Sequence, residues 1–291
     1  KPELLFSLVE HEMRRIELLM SPYVASSEVS IVNREAAHHP VTISKELHQL
    51  IAQASTYSAL SKGAFDISYA SVGETYDYRH GKRPTQDTLD QRLITVDYQS
   101  IELSQRDLPS PQYRVRFLKP RMKIDLGGIA KGYAVDRSIA ILLAHGVGSA
   151  MVSAGGDARY IGNRGTASNT NESIPWMIAI RHPRDKQRHA LRLPLTDTAV
   201  STSGDYERFF FDGEERVHHI LSPVTGRSAS EVVSVTVLGD TSTDCDALST
   251  SVFVMGVEKG LALINQLDNY DAVIIDKAGR VHYSQGMASV E

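Results

Sequence analysis

At 291 residues the chain is long enough for one large domain or two packed lobes, since single cores stop growing at roughly 250–300 residues. With 42% apolar and 23% charged residues it falls in the ordinary globular range, which excludes long disorder. A formal net charge of −4 supplies no basic field for a phosphate backbone, so nucleic acid is excluded as a partner, and the single cysteine, Cys245, excludes an internal disulfide and a cysteine-built zinc site.

Along the chain, residues 2–20 place Leu5, Leu8, Val9, Ile16, Leu19 and Met20 on one stripe of a 3.6-residue period, which predicts an amphipathic helix ended by Ser21-Pro22. A second helix is predicted over 44–61, with Ser44 as N-cap, Glu46 in its first turn and Gly63 near its close. Residues 74–120, with Pro84, Pro109, Pro111 and Pro120, read as short strands and loops. From Met122 the order is strand (122–126), turn at Gly127-Gly128, then a helix carrying Val135, Ile139, Leu142 and Leu143 and stopping at Gly146. Strands are predicted over 149–154, 176–182, 199–203 and 232–238, the last with the alternation of a half-buried sheet. A helix over Asp244–Met255 follows, and a hairpin pairs 272–275 with 281–283. The sum is an α+β architecture of mixed sheets with flanking helices, without repeats or a sharp domain boundary. No apolar run reaches the roughly 20 residues of a membrane helix. The chain opens at Lys1 without a methionine, and the expectation is that a leader preceded it.

Two segments carry the residue types of phosphate and cation chemistry. Asp246 and Thr250 are four apart, hence on one face of a helix, and a carboxylate with a hydroxyl one turn on is a hard-oxygen pair of the kind magnesium takes. The plainer reading, in which Asp244 caps the helix and Asp246 and Thr250 face solvent, stays open. In Asp125-Leu126-Gly127-Gly128-Ile129-Ala130-Lys131-Gly132-Tyr133-Ala134, two glycines before a helix let backbone approach an anion and Lys131 adds a point charge. It is neither a Walker motif nor a dinucleotide fingerprint, and a tight turn with a snorkelling lysine reads equally well. His218-His219 has no further histidine or carboxylate at ligand spacing, so zinc is not expected; His219 reads better as an acid, base or hydrogen-bond donor, or as a satisfied structural histidine.

Further segments of small and polar residues are Ser21-Pro22-Tyr23, Ser27–Asn33, Gly63-Ala64-Phe65-Asp66, Ala154-Gly155-Gly156-Asp157, Ser201–Tyr206 and His218–Gly226. Taken in order with Asp125–Ala134 and Asp246–Thr250, they span nearly the whole chain and resemble the ApbE family of flavin transferases, in which one α+β domain (here 1–291) forms two closely packed lobes with a flavin cleft between them. The resemblance implies magnesium on Asp246, Thr250 and the Gly128 carbonyl, with Thr243 contributing. It implies FAD contacts at Tyr23, Ala64, Phe65, Asp66, Asp125, Lys131, Ala134, His219 and Ile220. Two departures stand out: Ser222 sits where the family carries Asp before the proline, and the family's N-terminal strand with a Met-Gly-Thr-like segment is absent, in keeping with a trimmed start.

The activity implied is magnesium-dependent transfer of FMN from FAD to a Thr or Ser hydroxyl of an acceptor protein, with release of AMP. Asp246 and Lys131 would act on the phosphates and His219 on the attacking proton. The acceptor implied is a flavoprotein with a short acidic Thr/Ser motif in a membrane redox complex, and the location implied is periplasmic or otherwise outside the cytoplasm, with anchoring through the lost leader. The residues leave two other outcomes open: a magnesium-dependent FAD pyrophosphatase giving FMN and AMP, and a flavin-binding protein without turnover.

Overall fold

In the computed structural model, residues 2–107, 109–166, 172–185 and 187–288 are described. In chain order the helices are α1 (Pro2–Met20), α2 (Glu28–Glu35), α3 (Lys45–Leu60), α4 (Ala70–Gly73), α5 (Gln86–Leu93), α6 (Ala130–Ala144), α7 (Ser242–Met255), α8 (Val257–Ile264) and α9 (Gln285–Ala288). The strands are β1 (Val41–Ile43), β2 (Ile101–Arg106), β3 (Gln112–Phe117), β4 (Ala150–Ala154), β5 (Asp157–Ile161), β6 (Gly165–Thr166), β7 (Ser173–Ile174), β8 (Trp176–Arg181), β9 (His189–Leu195), β10 (Ala199–Gly204), β11 (Phe209–Asp212), β12 (Glu215–His218), β13 (Val232–Gly239), β14 (Asp271–Asp276) and β15 (Val281–Tyr283). The chain forms two compact units, one of Lys1–Arg14, Lys131–Tyr206 and Ser230–Glu291, the other of Arg15–Ala130 and Glu207–Ala229.

The first unit is built on a six-stranded antiparallel sheet in the order β15-β14-β13-β10-β5-β4. Helix α7 packs across β10, β13 and β5. Thr241 caps it, its hydroxyl accepting from the Asp244 amide, so the cap lies three residues before the expected Asp244. Strand β13 departs from the half-buried pattern its alternation predicts: all eight of its residues are buried, Ser234 and Thr236 included. Helix α7 packs on it, and Thr236 meets the Thr202 hydroxyl at 2.9 Å, so this polar position finds its partner in the interior. Val135 and Ile139 of α6 pack with Val152 and Ile161, and α6 runs into the turn at Gly146, whose φ of +77° suits a residue without a side chain.

The second unit holds the three-stranded sheet β1-β3-β2, the hairpin β11-β12 and helices α2 to α5. Ser44 caps α3 as its sequence predicts, accepting from the Leu47 amide at 3.1 Å. Two expectations fail here. Residues 122–126 form no strand, because side chains from distant segments take the place of a ladder: Asn33 brackets Ile124 with bonds of 2.7 and 2.9 Å, and the Ser71 hydroxyl takes the Lys123 amide at 2.9 Å. Within the stretch read as strands and loops, α5 forms a helix capped by Thr85. Its buried Leu89, with Leu93 one turn on, packs against Val72, Leu221, Tyr69 and Tyr76, a stripe too short to show as a period. No helix among the described residues is long and apolar enough to cross a membrane.

Candidate functional site

In the first unit the start of α6 and the second turn of α7 bring Lys131 against Asp246. The lysine Nζ donates to both oxygens of Asp246 at 3.0 and 3.1 Å and makes a shorter contact to Asp157 at the head of β5. Gly132 adds its backbone N–H to Asp246 Oδ2 at 3.1 Å. The two carboxylates are buried, 3% and 1% of their side-chain surface remaining, whereas the lysine side chain keeps 42%. Burial raises the Asp246 carboxyl above its ordinary range, with Lys131 and the Gly132 amide working against it. Asp157 moves the same way, through burial and then the neighbouring charge of Asp246. Burial alone would lower the Lys131 ammonium, but Asp246 and Asp157 outweigh it and hold the lysine firmly charged.

Hydroxyls crowd the same place. Ser203 Oγ lies 3.3 Å from Thr250 Oγ1 and 2.9 Å from Ser249 Oγ, and Ser201 donates to Asp157. Around Asp246 the donor set is therefore hard oxygen, and a cationic group, the Lys131 ammonium, already sits between the carboxylates. Both facts fit magnesium, which binds through one or two carboxylates and keeps water or substrate phosphate as its other ligands. Among the described residues no three of His, Cys, Asp and Glu gather as a metal cage.

Asp136, one turn beyond Gly132 on α6, accepts from the amides of Ser242 and Thr243 at 3.0 and 2.8 Å and from the Thr243 hydroxyl at 2.6 Å. It thereby caps the start of α7, with Arg159 as its ion-pair partner at 2.8 Å. The Thr243 hydroxyl donates its proton to Asp136 and keeps its oxygen lone pairs, and the bond helps to fix the helix that carries Asp246.

The second unit contains a cavity of about 520 Å³, within the range of small-molecule sites, lined among others by Tyr23, Tyr69, Tyr78, Asp125, Arg208 and His219. Arg208 stands 5.1 Å over the Tyr78 ring and donates to the Tyr23 hydroxyl at 3.3 Å. Tyr78 stacks on Tyr76 at 5.7 Å and 11°. Burial, and after it the charge of Asp125, pushes the Tyr69 phenol well above its usual range. Arg208 and His219 bracket the β11-β12 hairpin, and the Arg208 carbonyl faces both the amide of His219 at 3.1 Å and its Nδ1 at 3.3 Å. In its neutral form a ring that donates from Nδ1 to a carbonyl has its lone pair on Nε2. His218 is the structural member of the pair, buried, with Nε2 donating to the Ala229 carbonyl at 2.8 Å and Nδ1 accepting from Ile220 N at 3.3 Å.

Of the residues expected from sequence, the cavity takes Tyr23, Asp125 and His219, and the first-unit cluster takes Lys131, Asp246 and Thr250. Gly128 lies in the turn of the second unit, and Ala134 is buried in α6. Ala64, Phe65, Asp66 and Ile220 do not line the cavity. Phe65 and Ile220 are buried, and the Asp66 carboxylate is taken up locally by Ser68 N at 2.8 Å, Ser68 Oγ at 2.6 Å and Tyr98 N at 3.0 Å. Sequence reasoning missed Asp136, Tyr69, Tyr78 and Arg208, and did not separate Asp157 from its segment. For Asp157 a signal existed: a lone carboxylate directly after Gly155-Gly156, both at positive φ, in a turn where the space a Gly155 Cβ would fill lies 3.2 Å from the Lys131 stem.

The ApbE family model matches residues 5–274. The FAD:protein FMN transferase of Treponema pallidum is 32% identical over 291 aligned residues, covering 98% of this chain and 79% of the relative. That of Klebsiella pneumoniae is 32% identical over 279, covering 94% and 83%. Among solved structures, the ApbE protein of Thermotoga maritima superposes with a TM-score of 0.88 at 32% identity, covering 99% of this chain and 91% of its own. The flavin transferase ApbE of Vibrio cholerae does so with 0.84 at 26% identity, covering 99% and 90%. Fold and comparisons thus define an α+β protein of the flavin-transferase class. The chain belongs to the ApbE family.

Proposed function

We infer that the chain is an FAD:protein FMN transferase, moving the FMN half of FAD onto a Thr or Ser hydroxyl of an acceptor protein and releasing AMP. The observation that carries this reading is the buried Asp246, held by Lys131 and the Gly132 amide with Thr250 one turn on, in a chain related to FAD:protein FMN transferases along nearly its whole length. Asp246 and Thr250 would hold magnesium. Bound there, the ion supplies Lewis-acid stabilisation of charge developing on phosphate oxygens. Lys131 contributes a fixed positive charge to the same oxygens. The tyrosine-lined cavity suits a planar aromatic ring, with Arg208 and Tyr78 offering a cation–π face. His219 takes the proton of the acceptor hydroxyl as its oxygen attacks the phosphorus on the FMN side; the P–O bond to AMP breaks and AMP leaves with the bridging oxygen. The acceptor is read as a flavoprotein subunit of a membrane redox complex, and the setting as extracytoplasmic.

Incubation with FAD, magnesium and an acceptor protein, read by intact-mass spectrometry, tests this. The acceptor should gain one FMN phosphoester per site while AMP accumulates, and Asp246→Ala should abolish both. FMN and AMP appearing with an acceptor of unchanged mass would assign the protein as a pyrophosphatase. Turnover undiminished in Asp246→Ala would remove the cluster from the chemistry.

A further inference from the structure

We propose that Asp157 is the positioning residue that takes Lys131 from Asp246 when a divalent cation binds, so that lysine and metal do not compete for one carboxylate. The inference rests on the magnesium reading above and adds a residue to it. Lys131 Nζ divides its bonds between Asp157 and both oxygens of Asp246, which lie 3.0 and 3.1 Å away. A cation arriving at Asp246 needs the lone pairs that the ammonium now occupies. Left without a second carboxylate, the ammonium would give up two charge-assisted bonds on leaving and would strip a buried carboxylate of its counter-charge, so it would resist displacement. Asp157 removes that obstacle because its contact with the lysine is already made.

Asp157 is built to stay where it is. It heads β5 opposite Ser201 in the β10 ladder, so its backbone is fixed by the sheet and not by α7. Oδ1 accepts from the Ser201 hydroxyl and Oδ2 from Lys131, so Asp157 is held by the sheet side while it holds the lysine. The Gly155-Gly156 turn leaves the lysine stem room to lean toward Asp157, with 3.2 Å between Lys131 Cδ and the place of a Gly155 Cβ. Asp246 sits on the helix instead, beside the hydroxyls of Thr250, Ser249 and Ser203, the side from which a cation would be completed.

Manganese binding at constant pH, followed by electron paramagnetic resonance of the free ion with magnesium as competitor, separates this from a general charge effect. Asp157→Asn, which keeps size and a partner for Ser201, should weaken binding by about tenfold or more, because the lysine is then left with Asp246 alone. In the Lys131→Gln background the same change should weaken it by less than about threefold, since no lysine remains to be moved. Equal factors in both backgrounds would overturn the proposal, as loss of a nearby negative charge predicts. A crystal structure of the wild-type chain with magnesium needs no variant: Lys131 Nζ should bond to Asp157 and be absent from Asp246, and retention on Asp246 overturns the proposal. Wild-type binding lost in Asp246→Ala but unchanged in Asp157→Asn sinks the exchange alone. No binding by the wild type sinks the magnesium reading and the exchange together.

Discussion

Adding one methyl group to Gly132 tests the contact on which Asp246 depends. A Cβ there would lie 2.1 Å from the Ser242 carbonyl oxygen, 2.5 Å from its carbon and 2.8 Å from Thr243 N, all backbone atoms at the start of α7. No side chain can rotate out of the way, so α6 and α7 must part by about 1 Å to restore ordinary contact, at roughly 1–3 kcal/mol for overpacking. The parting lengthens the 3.1 Å bond from Gly132 N to Asp246 and the Asp136 bonds to Ser242 and Thr243. A weakened bond to a buried carboxylate adds about 1.5–3 kcal/mol. Alanine's better helix propensity returns about 1 kcal/mol. Gly132→Ala should therefore lose about 1.5–5 kcal/mol, read from the urea midpoint by circular dichroism. Gly148→Ala, where the added Cβ has no neighbour within 4 Å, serves as the control and should be neutral or slightly stabilising. A Gly132→Ala midpoint equal to wild type would refute the close approach of the two helices and with it the account of how Asp246 is held.

Asp66→Asn should destabilise by about 1–3 kcal/mol in the same urea assay, because one of the amides now bonded to the carboxylate would face an NH2 group. Arg208→Ala removes the cation over Tyr78 and the bond to Tyr23, and should raise the FAD dissociation constant about two- to fivefold, measured by quenching of flavin fluorescence; an unchanged constant would take Arg208 out of the ring site. In the final hairpin, the bond from His282, followed by those from Arg280 and Ala278, holds the Asp276 carboxyl well below its usual range. A carboxyl depressed on folding stabilises fully above its unfolded value and loses that contribution as pH falls. The thermal midpoint of wild type should therefore drop more steeply below about pH 4 than that of Asp276→Asn, and parallel curves would refute the role.

Elements whose ends are written in local chemistry could be read from sequence. Ser44 caps α3 through its own hydroxyl, Gly146 at φ +77° ends the turn after α6, and the hairpin of 271–276 with 281–283 closes at Gly279, φ +80°. Where partners come from far along the chain the reading failed. The segment 122–126 looks like a strand because its side chains alternate, but its backbone is satisfied by Asn33 and Ser71, which no local pattern announces. The alternation of β13 likewise promised a wet face, but all eight of its residues are buried, with α7 packed on the strand from elsewhere in the chain. At the candidate site, residue type and spacing singled out Asp246, Thr250, Lys131 and His219 as polar groups worth placing, and left their roles open. Asp136, Asp157 and Arg208 were not singled out, since a carboxylate that caps another helix or holds a lysine looks like any surface carboxylate until the chain is folded.

The segment 125–136 shows why motif reading stalled between an anion loop and a plain turn. Gly132 and Asp136 are four apart, so they share one face of α6, and that face meets the start of α7. Gly132 leaves room for the Ser242 carbonyl and sends its N–H to Asp246; Asp136 binds the amides of Ser242 and Thr243; Lys131 neutralises Asp246. Three residues thus serve one task, seating α7 so that a carboxylate can be buried without a bare charge. The glycine and the lysine would be needed at these positions even with no phosphate in view, because burial of Asp246 requires both a close backbone and a counter-charge. Loss of stability in Gly132→Ala without any ligand present is the consequence specific to this seating, since a glycine kept only for phosphate approach would leave the ligand-free protein as stable as before.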